Sequence, residues 1–190
     1  MTKSAIDPCK TPISNTASIS RPWHAPELDS PNQRAKWERA AAKPGVIHLK
    51  FLGDPAPQGS KTVTRYGALR EVSTKIQPWR ASVQYACDQQ YKGQSITDPV
   101  EMDVTFILPR PKGDYGTGRN ATKLKPSAPT HHTKTPDLDK LLRGLLDPMT
   151  VKCGGNVLSD DSVVVELNGR KRYAEAGESV GALVRIRVVR

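Results

Sequence analysis

Residues 135–161 read TPDLDKLLRGLLDPMTVKCGGNVLSDD, and the periodicity of their first half decides what is built around them. Leu138, Leu141, Leu142, Leu145 and Leu146 recur at the i, i+3, i+4, i+7, i+8 spacing of one buried helical face. At about 100° per residue, Asp139, Lys140, Arg143 and Asp147 fall on the opposite side. Asp137 stands at the N-cap position, behind the helix-disfavouring pair Thr135-Pro136. Pro148 lacks an N–H and pushes its predecessor out of the α region, so it predicts the helix end. The result is a helix of roughly three turns with its leucines inward.

Five acids fall in this stretch: Asp137, Asp139, Asp147, Asp160 and Asp161. One reading is purely structural. Asp137 caps the helix, Asp139 complements its dipole, and Asp139–Arg143 and Arg143–Asp147 form i,i+4 ion pairs of about 0.2–0.5 kcal/mol each. The other reading is chemical. Asp137 and Asp139 bracket a helix start where side chains converge, and a second pair, Asp160-Asp161, arrives after a Gly-Gly turn. A Mg²⁺ site takes only a few carboxylates and keeps several waters, so three or four such acids suffice.

The surrounding composition gives those acids their interest. Lys and Arg number 29 against 19 Asp and Glu, a formal charge of +10 over 190 residues. The isoelectric point near 9.7 points to a polyanionic partner, most commonly nucleic acid. No apolar run approaches the roughly 18 residues of a membrane span, and no signal peptide is evident, so a soluble cytoplasmic protein is expected. Cys9, Cys87 and Cys153 show neither CxxC nor Cys/His ligand spacing, so no structural zinc is indicated.

Working outward toward the N-terminus, residues 109–136 form a connection too long to be ordinary, and such loops are commonly functional. It carries Arg110, Lys112, Arg119, Lys123, Lys125 and Lys134 against the single acid Asp114, and it leads straight into the acidic helix start. That is the composition of a loop gripping a phosphate backbone. His131-His132 within it invites a metal or general-base role, but adjacent loop histidines seldom face one point. Before the loop, PVEMDVTFILP alternates Val100, Met102, Val104, Phe106 and Leu108 as a strand. Trp79, Val83, Ala86 and Cys87 predict a packing helix over 78–91. TVTRY and ALREVS read as a short hairpin turned at Gly67, where Lys61 and Arg65 are candidate phosphate contacts. Gly59-Ser60-Lys61-Thr62 lacks the earlier glycine that a Walker A loop needs. GVIHLKFLGD is a half-buried strand that opens the ordered domain at Val46, and residues 1–45 read as a flexible extension.

Toward the C-terminus, SVVVELNGRKRY is a strand expected to end at Asn168-Gly169, with Val163 and Val165 on one face and Val164, Glu166 and Asn168 on the other. GALVRIRVVR closes the chain, with Val184, Ile186 and Val188 opposite Arg185 and Arg187. Strand, hairpin, helix, strand, helix, strand, strand gives an α+β (mixed α/β) domain over 46–190 with one central mixed sheet and two main helices.

These residues carry a resemblance. KTPDLDKLLRGLLDPMT…GGNVLSDDSVVVEL resembles the RusA family of Holliday junction resolvases, with its D-x-D-[NK] helix start, a basic residue one turn on, L-D, and a D-D pair opening a strand. FLGDPAPQGSKTVTR is similar to the family's first strand and loop, and the likeness spans about 46–189. The resemblance implies a homodimeric endonuclease of recombination and repair that uses Mg²⁺, with Mn²⁺ a possible substitute. It would cut four-way DNA junctions by paired symmetric nicks, in a bacterial or phage-infected cell. Asp137 and Asp139 match the D-x-D carboxylates, and Asp161, with Asp160 one register away, matches the remaining acid. The family's basic position falls on Arg143, which suits holding a phosphate better than moving a proton, because Arg does not deprotonate near neutral pH. Two other readings stay open: a non-catalytic basic DNA-binding protein, and a metal-dependent nuclease of other branched DNA.

Overall fold

The computed structural model describes residues 45–189 apart from 60, 64, 66–68, 72 and 73. The side chains of 61–63 and 69–71 also lie outside the described set. The N-terminal extension expected over 1–45 falls almost wholly outside it.

Along the chain come β1 (Val46–Leu52), β2 (Lys61–Val63), β3 (Leu69–Glu71), α1 (Ile76–Gln90), β4 (Val100–Leu108), α2 (Leu138–Met149), β5 (Val164–Tyr173) and β6 (Gly181–Val188). The main sheet is mixed, in the order β1-β6-β4-β5, and β2 and β3 form a separate antiparallel ribbon. This is the expected α+β architecture with two helices. β6 runs antiparallel to both β1 and β4, whereas β5 runs parallel to β4. A parallel pair cannot be joined by a hairpin and needs a crossover. The crossover here is the long basic loop followed by α2.

The two faces of the sheet follow from strand alternation. Val100, Met102, Val104 and Phe106 of β4 and Ala182, Val184 and Ile186 of β6 are buried under the helices, with Leu49 and Phe51 of β1. α1 packs on β1 and α2, and α2 packs on β5. Trp79, Val83 and Cys87 of α1 meet Leu141, Leu145 and Met149 of α2 in one core. Tyr85, by contrast, is exposed. On the other face, Arg185 and Arg187 hydrogen-bond Asp103 and Glu101 on the neighbouring strand through their Nε atoms at 2.8 and 2.9 Å.

Three boundaries differ from the sequence reading. α1 starts two residues early, because Pro78 lies in the first turn, where backbone N–H groups have no helical partner. α2 runs through Pro148 to Met149, since a proline in the last turn removes one hydrogen bond while Met149 is fully buried. β5 does not stop at Asn168-Gly169. It begins after a 3₁₀ turn over Asp161–Val163 and continues to Tyr173, with Gly169 opposite Val104. The glycine serves packing: a Cβ there would sit 2.9 Å from Leu142 Cδ1 of α2.

The 109–136 loop is folded on itself. It holds two 3₁₀ turns, Lys112–Asp114 and Gly118–Asn120, and a bridge between Tyr115 and Leu124. Earlier in the chain, residues 54–59 cross α2 so closely that a Cβ on Gly144 would lie 2.4 Å from the Ala56 carbonyl oxygen. Gly144→Ala is therefore expected to lose about 1–3 kcal/mol by overpacking against backbone. Gly169→Ala should lose less, because the flexible Leu142 side chain can yield. Urea unfolding of both variants measures the difference.

Candidate active site

Asp137 occupies the N-cap of α2 with extended backbone angles (φ −71°, ψ 144°), yet its side chain makes no capping hydrogen bond. The carboxylate turns to Lys140 instead, 2.8 Å away. That hydrogen bond and charge, with Lys171 behind them, hold the Asp137 carboxyl below the usual carboxylate range. Lys171 reaches over from β5 and donates to the carbonyls of Lys134 (2.7 Å) and Pro136 (2.8 Å), fixing the segment that enters the helix. The Thr135–Pro136 bond in that segment is cis. Asp139, in the first turn, is exposed.

A second group of acids lies at the far end of α2. Asp147 accepts from Gln58 Nε2 at 2.5 Å and pairs with Arg80 at 3.1 Å, while Arg80 also donates to Gln58 Oε1 at 2.6 Å. The Gln58 N–H donates to the Lys140 carbonyl at 2.9 Å, which fastens the 54–59 segment to α2. Asp160 caps the 3₁₀ turn by accepting from the Ser162 N–H at 3.1 Å, and bonds with Ser162 keep its carboxyl low. Asp161 is pushed up by burial, then by its hydrogen bond to Asp160, and by the charges of Asp160 and Asp147.

The acids thus stand in two groups rather than one. Ten residues of helix separate Asp137 from Asp147, about 15 Å of rise. Among the described residues, no three His, Cys, Asp or Glu side chains gather as a metal-ligand set. The donor chemistry nevertheless suits a hard divalent cation. Asp137 and Asp139 offer exposed oxygens, and Asp160 and Asp161 stand carboxyl to carboxyl, a crowding that a dication relieves.

The ion pairs expected within the helix are absent among the described residues: Asp147 goes to Arg80, and Asp139–Arg143 does not form. Arg143 is exposed, with Nη1 3.4 Å from the position a Cβ on Gly59 would take. The basic residues of the loop divide by role. Arg110 lies 4.1 Å over the Tyr173 ring, pairs with Asp114 at 3.4 Å and donates to the Pro129 carbonyl at 2.9 Å. Lys125 donates to the Gly113 carbonyl at 2.8 Å, bracing the loop from within. Lys112, Arg119, Lys123 and Lys134 are exposed, as is Arg65 at the β2–β3 turn, and the Lys61 side chain lies outside the described set. His131 and His132 part company: His131 is exposed, and His132 packs on Tyr173 with ring centroids 4.7 Å apart. Burial, then Lys171, lowers the His132 pKa.

Sequence reasoning passed over Gln58, Arg80 and Lys171. Each sits far along the chain from the acid it serves, and no local pattern distinguishes it from a solvated side chain.

Comparison with known proteins now bears on this arrangement. The family model of RusA endodeoxyribonucleases matches residues 53–187, so the chain belongs to that family and is an endodeoxyribonuclease. It is similar to the crossover junction endodeoxyribonuclease RusA of Aquifex aeolicus, with 23% identity over 141 residues, 74% of this chain and 90% of the relative. It is also similar to the uncharacterized protein YqaN of Bacillus subtilis, with 28% identity over 131 residues, 68% of this chain and 89% of that protein.

The Asp160–Asp161 geometry has a titration consequence. A carboxyl raised by folding, as in Asp161, opposes folding fully above its folded pKa and not at all below its unfolded one. Asp160, lowered by folding, contributes stability above its unfolded pKa that is lost as pH falls through the folded value. Carboxyl ¹³C NMR of the metal-free protein should find Asp161 above the usual range and Asp160 below it. Asp147→Asn, which removes a like charge, should bring Asp161 down.

Proposed function

We propose that this endodeoxyribonuclease resolves four-way DNA junctions by paired symmetric nicks with Mg²⁺, Mn²⁺ being able to substitute. The observation that carries the reading is Asp137: a carboxylate at the N-cap that leaves the cap unmade and faces outward beside Asp139. A helix cap is the commonest use of an aspartate there, and this one is not so used. Family membership and the junction named for the Aquifex relative supply the substrate class. No described helix is long and apolar enough to cross a membrane. The place of work we assign is the cytoplasm of a bacterial or phage-infected cell, where branched DNA of this kind arises.

Asp137, Asp139 and Asp161, with Asp160 beside it, would hold the cation. A bound Mg²⁺ supplies polarisation of the phosphate and a water of lowered pKa. The chain's own residues do the rest. Lys140 and Lys171 keep Asp137 ionised, and Arg143 neutralises charge developing on the phosphate in the transition state. The exposed Lys112, Arg119, Lys123 and Lys134 supply salt-sensitive backbone affinity.

Homodimerisation serves this chemistry twice. A junction has near two-fold symmetry, so two symmetric cuts call for two sites. The separation of the acids adds a second reason. β5 is an edge strand in the described sheet, and it leaves Val165 and Leu167 exposed at 63% and 36%. Antiparallel pairing of two such edges would set the Asp161 end of one copy against the Asp137 end of the other, completing a site that neither gathers alone.

The test incubates purified protein with a labelled synthetic four-way junction, a flapped duplex and a linear duplex, with and without Mg²⁺. Expected are symmetric nicks in the junction only, dependent on Mg²⁺ and reduced by about 10²–10³-fold in Asp137→Asn while binding persists, the scale of losing a transition-state electrostatic group. Cutting of the flap with an intact junction would assign the enzyme to other branched DNA.

A further inference from the structure

Beside Asp137 the chain forms a cleft of about 530 Å³, within the roughly 300–1,000 Å³ typical of small-molecule sites. Five prolines, Pro55, Pro57, Pro109, Pro111 and Pro136, give it rigid apolar walls. His132 and Tyr173 add aromatic surface, and Lys75, Lys134 and Lys140 line the same space. We propose that this cleft takes one unpaired nucleobase of the branched DNA, with the lysines gripping its adjoining phosphate. The proposal rests on the nuclease reading of Asp137, because it fixes how the strand enters that residue.

Three observations select this occupant. Prolines have almost no side-chain freedom to lose, so their apolar walls are preorganised for a flat, uncharged ring. The His132 and Tyr173 rings lie 4.7 Å apart at a 46° tilt, and Arg110 sits 4.1 Å over the Tyr173 ring, so both rings are held before any ligand arrives. Burial, then the nearby Lys171, lower the His132 pKa, which disfavours a charged ring on the face where a base would stack. The lining carries three lysines against two acids, Asp54 and Asp137, and so suits a ligand with one anionic group. Two of the lysines are already anchored there, Lys75 to Asp54 at 2.6 Å and Lys140 to Asp137 at 2.8 Å. Base pairing ends at a junction crossover, where drawing out one nucleotide costs least.

The experiment places 2-aminopurine, whose fluorescence rises when it leaves the helical stack, at each nucleotide around the crossover of a synthetic junction. The junction is bound by the full-length wild-type protein in EDTA, so that no cutting competes with the measurement. The result expected is a rise confined to one or two positions. His132→Ala and Lys75→Glu should each suppress that rise and weaken junction binding by about tenfold, the scale of one stacked base. Lys75 is 70% exposed, so its replacement leaves the fold intact. A flat profile, or a rise that both variants leave unchanged, overturns the proposal. Cleavage of the unlabelled junction by wild-type protein in Mg²⁺ is measured alongside. Cutting with a flat profile removes the cleft's role and keeps the nuclease reading. A variant-sensitive rise without cutting keeps the base site and removes the catalytic role of Asp137.

Discussion

The site depends on how tightly residues 54–59 are pressed onto α2. The Ala56 carbonyl lies where a side chain on residue 144 would be, and the Gln58 N–H donates to the Lys140 carbonyl. The Gln58 side chain then joins Asp147 and Arg80 in a half-buried network. One short segment thereby fixes the helix carrying the acids relative to α1 and β1. Gly144 permits the close approach and Gln58 fastens it, while α1 packs on the same helix through the shared core.

The charge distribution has the same economy. Among the described residues each acid near α2 has a cation or hydrogen-bond partner except Asp139, which is exposed. Asp147 is neutralised by Arg80, whose side chain is only 12% exposed, so the pair acts in a medium poorer in water than the surface. Asp160 bonds Ser162 and Asp161, and burial, then the contact with Asp160, raises the Asp161 carboxyl. The basic excess of the sequence is likewise divided. Arg110, Lys125 and Lys171 are consumed in bracing the loop and the helix entrance, leaving Lys112, Arg119, Lys123 and Lys134 on the surface.

Much of the frame was legible in the sequence because it is local and periodic. The leucines of α2, the alternation of Val100 to Leu108 and the apolar face of β6 each bury one side of one element, and a period of 3.6 or 2 is visible without knowledge of neighbours. Asn168-Gly169 misled because the same glycine that permits a turn also permits close packing, and only Leu142 decides between them. Pro148 misled because a proline's cost depends on how many turns remain to be made beyond it, and here the helix was already ending.

The candidate acids were legible as residues but not as a geometry. Their clustering in the chain suggested one site, yet a helix converts ten residues into about 15 Å and sends Asp137 and Asp161 to opposite ends. Lys171 comes beside Asp137 from β5 and Arg80 pairs with Asp147 from α1, across sequence distances that no pattern bridges. The elements, their order, the family and the candidate acids could all be read from the chain, because each rests on periodicity or a contiguous motif. Which cation faces which acid, the division of the acids into two groups and the proline-walled cleft beside Asp137 came from the folded chain alone. Those depend on contacts between segments far apart in the chain, set by a parallel crossover and by one segment lying flat on Gly144.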